Sequence, residues 1–126
     1  MGLNSPIEKL REKYPNAIFL EDICESHGVK GPDGAKRGSV GVGSTFSFYY
    51  GHHMTTVEGG MISTDNELLY ELMKIKRSHG MARLLSPKFY EEAVKKHPNI
   101  DPSFLFLTDG YNFRNTELNA VLGIEQ

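Results

Sequence analysis

Cysteine and tryptophan are almost missing from this sequence: Cys24 is the single cysteine, and there is no tryptophan. One thiol can form neither an internal disulfide nor an all-cysteine metal site. Long apolar runs are missing too, since none approaches the roughly 20 residues that a membrane span needs, and the first residues lack a signal-peptide pattern. These absences predict a cytoplasmic protein with no metal site and no membrane partner.

Neither sign of charge dominates the sequence. It contains 14 Lys and Arg against 16 Asp and Glu, a formal net charge of −2. The basic residues are scattered rather than arranged in a stripe, so the charge pattern predicts no nucleic-acid partner. A length of 126 residues is about one domain and is enough to bury a hydrophobic core.

The first third of the chain has the pattern of an α/β fold. Ser5–Pro6, followed by Glu8, predicts the start of a helix closed by a capping box. The apolar run from Ala17 to Leu20 predicts a strand that is buried on both faces of a parallel sheet. Its carboxyl end delivers Glu21 and Asp22, at the position where open α/β sheets place ligand-binding groups.

The stretch from Thr45 to Gly60 is the most informative part of the sequence. Phe46 and Phe48 alternate with small polar residues, which predicts a strand. The period then stops, and two adjacent histidines, His52 and His53, follow in a glycine-bounded turn. Such turns present reactive side chains at the edge of a sheet. From the residues alone, a histidine pair in a loop is more often scaffolding or surface than chemistry.

Further along the chain, three helices are expected. The first has an apolar stripe at helical spacing that is expected to pack into the core: Leu68, Leu69, Leu72, Met73 and Ile75. Ser86–Pro87 begins the second helix, and Asn115 or Thr116 caps the third. Between the last two helices, the aromatic run Phe104–Leu107 indicates an interface.

Several motifs, in this order and spacing, resemble the DegT-type family of pyridoxal-phosphate sugar aminotransferases: Glu21-Asp22, Ser47, His52, Glu58-Gly59-Gly60 and Gly110-Tyr111-Asn112-Phe113-Arg114. Family members carry an acidic pair, then a Phe-Ser-Phe strand, a lysine that holds the cofactor covalently, and a Glu-Gly-Gly turn. In this sequence His52 occupies the position of the lysine. That departure resembles one branch of the family, the 3-dehydratases that make 3-deoxy sugars.

The resemblance implies the fold as well. It predicts part of the large domain of a fold-type-I enzyme, which is aspartate-aminotransferase-like, with three α/β/α layers around a mostly parallel sheet. Family members are much longer than this chain. Residues 1–126 are therefore expected to form an incomplete cofactor domain, in which the N-terminal part and the C-terminal small domain are missing.

The resemblance also assigns roles to five residues. Asp22 is expected to pair with the pyridine nitrogen of the cofactor, Glu25 to lie near the phenolic oxygen, and Ser47 to bind the cofactor phosphate. Asn112 is expected to reach the partner's cofactor phosphate across a homodimer. The alternatives are a turn-capping role for Asp22, a solvated Glu25, and a turn role for Asn112. The imidazole of His52 remains a competent proton-transfer group near neutral pH.

An imidazole cannot form the covalent bond by which a lysine holds the cofactor aldehyde. The resemblance therefore implies that turnover starts from pyridoxamine phosphate, with glutamate as the amino donor. The expected reaction removes the C3 hydroxyl of a nucleotide-linked 4-keto-6-deoxy sugar, in deoxysugar and lipopolysaccharide O-antigen biosynthesis. A sugar aminotransferase of the same family is the alternative. A catalytically silent fragment that only folds or dimerises is the alternative from another class.

Overall fold

The computed structural model describes residues 3–126, and these residues form two compact units. The first unit contains residues 3–66 and Asn115–Gln126, and the second contains Glu67–Arg114. The elements are, in chain order, α1 Ile7–Lys13, β1 Leu20–Asp22, β2 Gly43–Ser47, β3 Gly60–Ser63, α2 Glu67–Lys76, α3 Pro87–Lys96 and α4 Glu117–Ile124. Within residues 3–126, no helix is both long enough and apolar enough to cross a membrane.

The first unit is built on a sheet in the order β1-β2-β3. β1 and β2 are parallel, with Asp22 opposite Thr45, and β2 and β3 are antiparallel, with Ser47 opposite Gly60. Parallel strands end at the same edge of a sheet. One edge of the sheet therefore contains the carboxyl ends of β1 and β2 and the start of β3. This edge carries Asp22, Ser47 and the connection that contains His52.

Helix α1 starts without the predicted capping box. Pro6 precedes its first residue, and no side chain accepts a bond from its first turn. Glu8 instead forms an ion pair with Arg37, with Oε1 and Nη1 2.5 Å apart, and the Arg37 side chain is only 2% exposed. The Glu8 carboxylate is therefore paired with a distant arginine instead of a backbone N–H of its own helix.

Strand β1 begins later than expected and is not buried on both faces. Ile18 and Leu20 are 83% and 71% exposed, and only Glu21 within the strand is buried. The described residues therefore leave these two side chains uncovered, and β1 is also an outer strand of the described sheet, with β2 on one side. The apolar run at Ala17–Leu20 therefore marks the approach to the strand rather than a buried central strand.

Glu21 has a structural role that the acidic pair did not indicate. Its carboxylate accepts hydrogen bonds from the N–H groups of Gly38, Val40 and Gly41, at 2.8, 3.0 and 3.1 Å. The segment also packs closely against the chain before β1, because a Cβ on Gly41 would lie 2.6 Å from the carbonyl oxygen of Phe19. Glu21 thus fixes the segment that leads into β2, while Asp22 remains exposed.

The second unit has a small core of Ala82, Ala93 and Leu105. The apolar stripe predicted for α2 is only partly buried: Ile75 is 4% exposed, but Leu68 and Leu72 are 68% and 43% exposed. Glu71 is buried in their place, because Ser86 and Lys74 satisfy its carboxylate. A residue type that is usually exposed therefore occupies the inner face of α2.

The two predicted helix starts in the second half of the chain are confirmed. α3 begins at Pro87, directly after Ser86. Thr116 caps α4 through a capping box with Asn119, whereas the Asn115 side chain donates to the Gly60 carbonyl oxygen at 3.2 Å. These signals are local in sequence, which is why they could be identified before the fold was known.

Candidate active site

Three of the predicted site residues belong to one edge of the sheet. Asp22 ends β1, Ser47 ends β2, and His52 lies in the connection from β2 to β3. The backbone N–H of His52 donates to the Tyr49 carbonyl oxygen at 3.0 Å, which forms a tight turn immediately after the strand. Because β1 and β2 are parallel neighbours, the fold places the carboxylate and the imidazole on the same edge.

Helix α4 fixes the connection that carries His52. Asn119 Nδ2 donates to the carbonyl oxygens of Thr56 and Glu58 at 2.8 and 3.0 Å. The Thr55 N–H donates to Gln126 Oε1 at 3.0 Å. Side chains of α4 and of Gln126, which follows it, therefore satisfy backbone groups of the 48–59 connection. The loop has a defined conformation although much of it is exposed.

The environment of Asp22 favours its ionised form. The Cys24 backbone N–H donates to Asp22 Oδ1 at 3.0 Å, so the predicted turn-capping alternative is also present in the structure. Hydrogen bonding from Cys24, and after it from the Thr45 hydroxyl and the charge of nearby His52, holds the pKa of Asp22 below its ordinary value. The contribution of His52 shows that the two side chains lie within electrostatic reach of each other. Asp22 is thus an exposed carboxylate that is charged at neutral pH.

A third histidine, His27, lies beside this edge, although no motif in the sequence indicates it. The ring of His27 is 5.8 Å from that of Phe46, 5.9 Å from that of Phe48 and 6.3 Å from that of His53. Burial, and then the proximity of His53 and His52, lowers the pKa of His27. The pair His27-Gly28 is typical of a helix end, and that pattern gives no indication of contacts with a strand further along the chain.

Two histidine nitrogens here are buried without a hydrogen-bond partner. Within residues 3–126, these are Nε2 of His27 and Nδ1 of His52. A buried polar atom without a partner is costly and marks a position where a ligand or water is expected. In the described part of the chain, no group of three or more His, Cys, Asp or Glu side chains is arranged to hold a metal ion.

The remaining predicted site residues have different surroundings. Ser47 Oγ accepts from the Tyr49 N–H at 3.3 Å, which leaves its hydroxyl hydrogen able to donate. Glu25 is exposed in the turn after β1. Asn112 belongs to the second unit, where its exposed side chain accepts from Arg114 Nε at 2.9 Å. Nothing in these contacts assigns a ligand to Glu25 or Asn112.

Comparisons with known proteins show which family the chain resembles. Residues 5–126 match the model of the DegT/DnrJ/EryC1/StrS aminotransferase family. The GDP-4-keto-6-deoxy-D-mannose 3-dehydratase of Escherichia coli O55:H7 is 41% identical over 109 residues, which are 86% of this chain and 28% of that protein. The UDP-4-amino-4,6-dideoxy-N-acetyl-beta-L-altrosamine transaminase of Helicobacter pylori is 34% identical over 120 residues, which are 95% of this chain and 28% of that protein.

A solved structure extends the likeness to three dimensions. The E. coli GDP-4-keto-6-deoxy-D-mannose-3-dehydratase with bound hydrated PLP superposes with a TM-score of 0.84 at 36% identity, over 98% of this chain and 32% of that one. The chain therefore has the α/β fold of part of a fold-type-I, aminotransferase-like enzyme, as predicted. It belongs to the DegT/DnrJ/EryC1/StrS aminotransferase family. It spans less than a third of the length of these relatives.

Proposed function

We propose that this chain is part of an enzyme that uses pyridoxal and pyridoxamine phosphate to remove the C3 hydroxyl of a nucleotide-linked 4-keto-6-deoxy sugar, with glutamate as amino donor. The product would serve deoxysugar and lipopolysaccharide biosynthesis. The observation that carries the proposal is the position of His52, an imidazole on the same sheet edge as the ionised Asp22. The dehydratase relative from Escherichia coli O55:H7 and the superposed structure support the reaction type.

The residues at this edge fit a pyridoxal-type cofactor. Asp22 is exposed and ionised, as a partner for a protonated pyridine nitrogen must be. Ser47 has a hydroxyl hydrogen to donate to a phosphate oxygen, and His52 Nδ1 is buried without a partner in the described residues. An anion for the ring, a donor for the phosphate and a proton carrier are groups that suit this cofactor.

When bound, the cofactor supplies an amine for condensation with the sugar ketone and a ring that accepts electrons. Asp22 keeps the proton on the ring nitrogen, because its charge stabilises the cationic ring. His52 would take a proton from the 4′ carbon and give one to the departing C3 hydroxyl, since an imidazole can act as base and then as acid near neutral pH. Glu25 would lie near the phenolic oxygen, and Asn112 would bind the cofactor phosphate of the second subunit of a homodimer.

A chimeric protein tests this function directly. The chain replaces the matching segment of the Escherichia coli O55:H7 dehydratase, and the product formed from GDP-4-keto-6-deoxymannose, glutamate and pyridoxal phosphate is identified by mass spectrometry. The expected product is a 3-deoxy-4-keto sugar. An amino sugar would instead assign the chain to the aminotransferases. A chimera that folds and dimerises but neither binds cofactor nor forms product would identify a catalytically silent segment.

A matched pair of histidine variants tests the role of His52. His52→Lys places an amine at this position, so borohydride is expected to fix the cofactor covalently to the protein. Dehydration by this variant is expected to fall by about 100-fold or more, the usual contribution of a positioned proton-transfer group. His53→Lys is the control, because it adds the same amine one residue away. Unchanged dehydration in His52→Lys would remove His52 from the mechanism.

A further inference from the structure

One strand residue that has no place in the family motif lies beside Asp22. Thr45 is the direct register partner of Asp22 in the parallel pair β1–β2. Residues opposite each other in neighbouring strands project their side chains to the same face of the sheet. The backbone is tied at the same point, because the Ile23 N–H donates to the Thr45 carbonyl oxygen at 2.9 Å. Thr45 therefore faces the Asp22 carboxylate from the adjacent strand.

The turn after β1 supplies the second support. The Cys24 N–H donates to Asp22 Oδ1 at 3.0 Å. The Asp22 carboxylate thus accepts a bond from the Cys24 N–H in the turn that follows β1, and the Thr45 side chain faces it from β2. Two donors on different elements restrict a short side chain to one orientation, which a single bond cannot do.

We propose that Thr45 is a positioning residue whose hydroxyl, together with the Cys24 N–H, holds the Asp22 carboxylate in the orientation that the cofactor ring nitrogen requires. This inference rests on the proposed function for its catalytic meaning. Its physical basis is independent of the cofactor, because the Cys24 bond and the register pairing that brings Thr45 beside Asp22 are features of the protein itself.

The charge state of Asp22 follows from the same contacts. The titratable groups that face Asp22 are Cys24 and His52, and hydrogen bonds from Cys24 and then Thr45, followed by the charge of His52, lower the pKa of Asp22. Removing the Thr45 hydroxyl removes a donor that favours the ionised form, so the pKa of Asp22 must rise. If cofactor binding needs ionised Asp22, acidification then abolishes binding at a higher pH in the variant than in the wild type.

The test compares Thr45→Val, which keeps the side-chain shape but has no hydroxyl, with Thr45→Ser, which keeps the hydroxyl. The Asp22 carboxyl carbon is titrated by NMR in the 126-residue chain, without cofactor. Thr45→Val is expected to raise the Asp22 pKa by roughly half a unit to one unit, and Thr45→Ser to restore it. The pH below which added pyridoxal phosphate loses half its affinity is expected to move upward by the same amount in Thr45→Val.

Each result has a definite meaning. An Asp22 pKa that is the same in Thr45→Val and the wild type overturns the inference, and so does a Thr45→Ser variant that behaves like Thr45→Val. In a third outcome, the Asp22 pKa shifts while the affinity for pyridoxal phosphate does not follow Asp22 ionisation. That result supports the local geometry but contradicts the proposed cofactor role. The failure of the inference is therefore distinguishable from the failure of the proposed function.

Discussion

The substitution Glu21→Gln removes the charge of the side chain but hardly changes its size. We nevertheless expect it to destabilise the first unit strongly. Glu21 is 6% exposed. Its Oε2 accepts from the N–H groups of Gly38, Val40 and Gly41 at 3.2, 3.0 and 3.1 Å, and its Oε1 accepts from Gly38 at 2.8 Å. The amide of glutamine can keep only one of these two oxygens as an acceptor. Its NH₂ group must face a backbone donor or solvent.

The size of the effect follows from the hydrogen bonds that weaken. A bond to a charged group contributes about 1.5–3 kcal/mol and a neutral bond about 0.5–1.5 kcal/mol, so each of three bonds loses roughly 1 kcal/mol. Partial relaxation of the loop recovers some of this loss. The expected decrease in the free energy of unfolding is about 2–3 kcal/mol, a large part of the ~5–15 kcal/mol available to a typical domain.

Urea unfolding followed by circular dichroism measures this change, and amide hydrogen exchange locates it. Lower protection is expected at Gly38, Val40 and Gly41. Glu25→Gln is the matched control, because Glu25 has the same side chain, lies in the turn after the same strand and is exposed; its expected effect is below about 0.5 kcal/mol. Equal stabilities of the two variants, with normal protection at these three amides, would refute the assignment of Glu21 as the anchor of this segment.

Two further predictions concern the second unit. Gly80→Ala should lower the free energy of unfolding by more than about 2 kcal/mol, because Gly80 has φ +79° and an added Cβ would overlap the Thr108 carbonyl oxygen. Gly28→Ala is the control: Gly28 has φ +76° but lies in open space, so only the backbone strain of about 1 kcal/mol is expected. Equal melting temperatures for the two variants would contradict this prediction. Burial alone raises the pKa of Glu71, but hydrogen bonds from Ser86 and the charge of Lys74 outweigh it and hold this pKa below its ordinary value. The stability that this lowered pKa contributes is present above the unfolded glutamate pKa of about 4.3 and is lost as the pH falls below it. Glu71→Gln should therefore flatten the dependence of unfolding free energy on pH between about pH 5 and pH 3. An unchanged dependence on pH would exclude Glu71 as its source.

The parts of the fold that the sequence predicted well depend on near neighbours. Pro87 begins α3 from the first helical position and Thr116 caps α4, and both effects act within one turn. The strand ending at Asp22 and the strand carrying Phe46 could be identified from local alternation and apolar runs, although the start and burial of the first were wrong. The family motif around His52 is also contiguous, and the match over residues 5–126 confirmed the family that it indicated.

The predictions that failed involve polar groups whose partners lie far away in the sequence. Glu8 pairs with Arg37 instead of capping its own helix, and Glu21 binds backbone groups 17 to 20 residues ahead of it. Glu71 occupies an inner position that apolar periodicity assigned to leucines. Such contacts leave no periodic pattern in the sequence. The hydrogen-bond donors that stabilise these carboxylates come within reach only when the chain has folded.

By itself, then, the sequence determined where α3 and α4 begin, the cap of α4 and the order of the motif, since each of these depends on residues close to one another in the chain. Only the tertiary structure decided which acidic residue of the pair Glu21-Asp22 is buried and which is exposed at the sheet edge. Strand alternation requires that neighbouring side chains face opposite sides, but it does not state which side is covered. The loop from Gly38 to Gly41 covers Glu21, and the parallel pairing with β2 leaves Asp22 beside Thr45 and within electrostatic reach of His52.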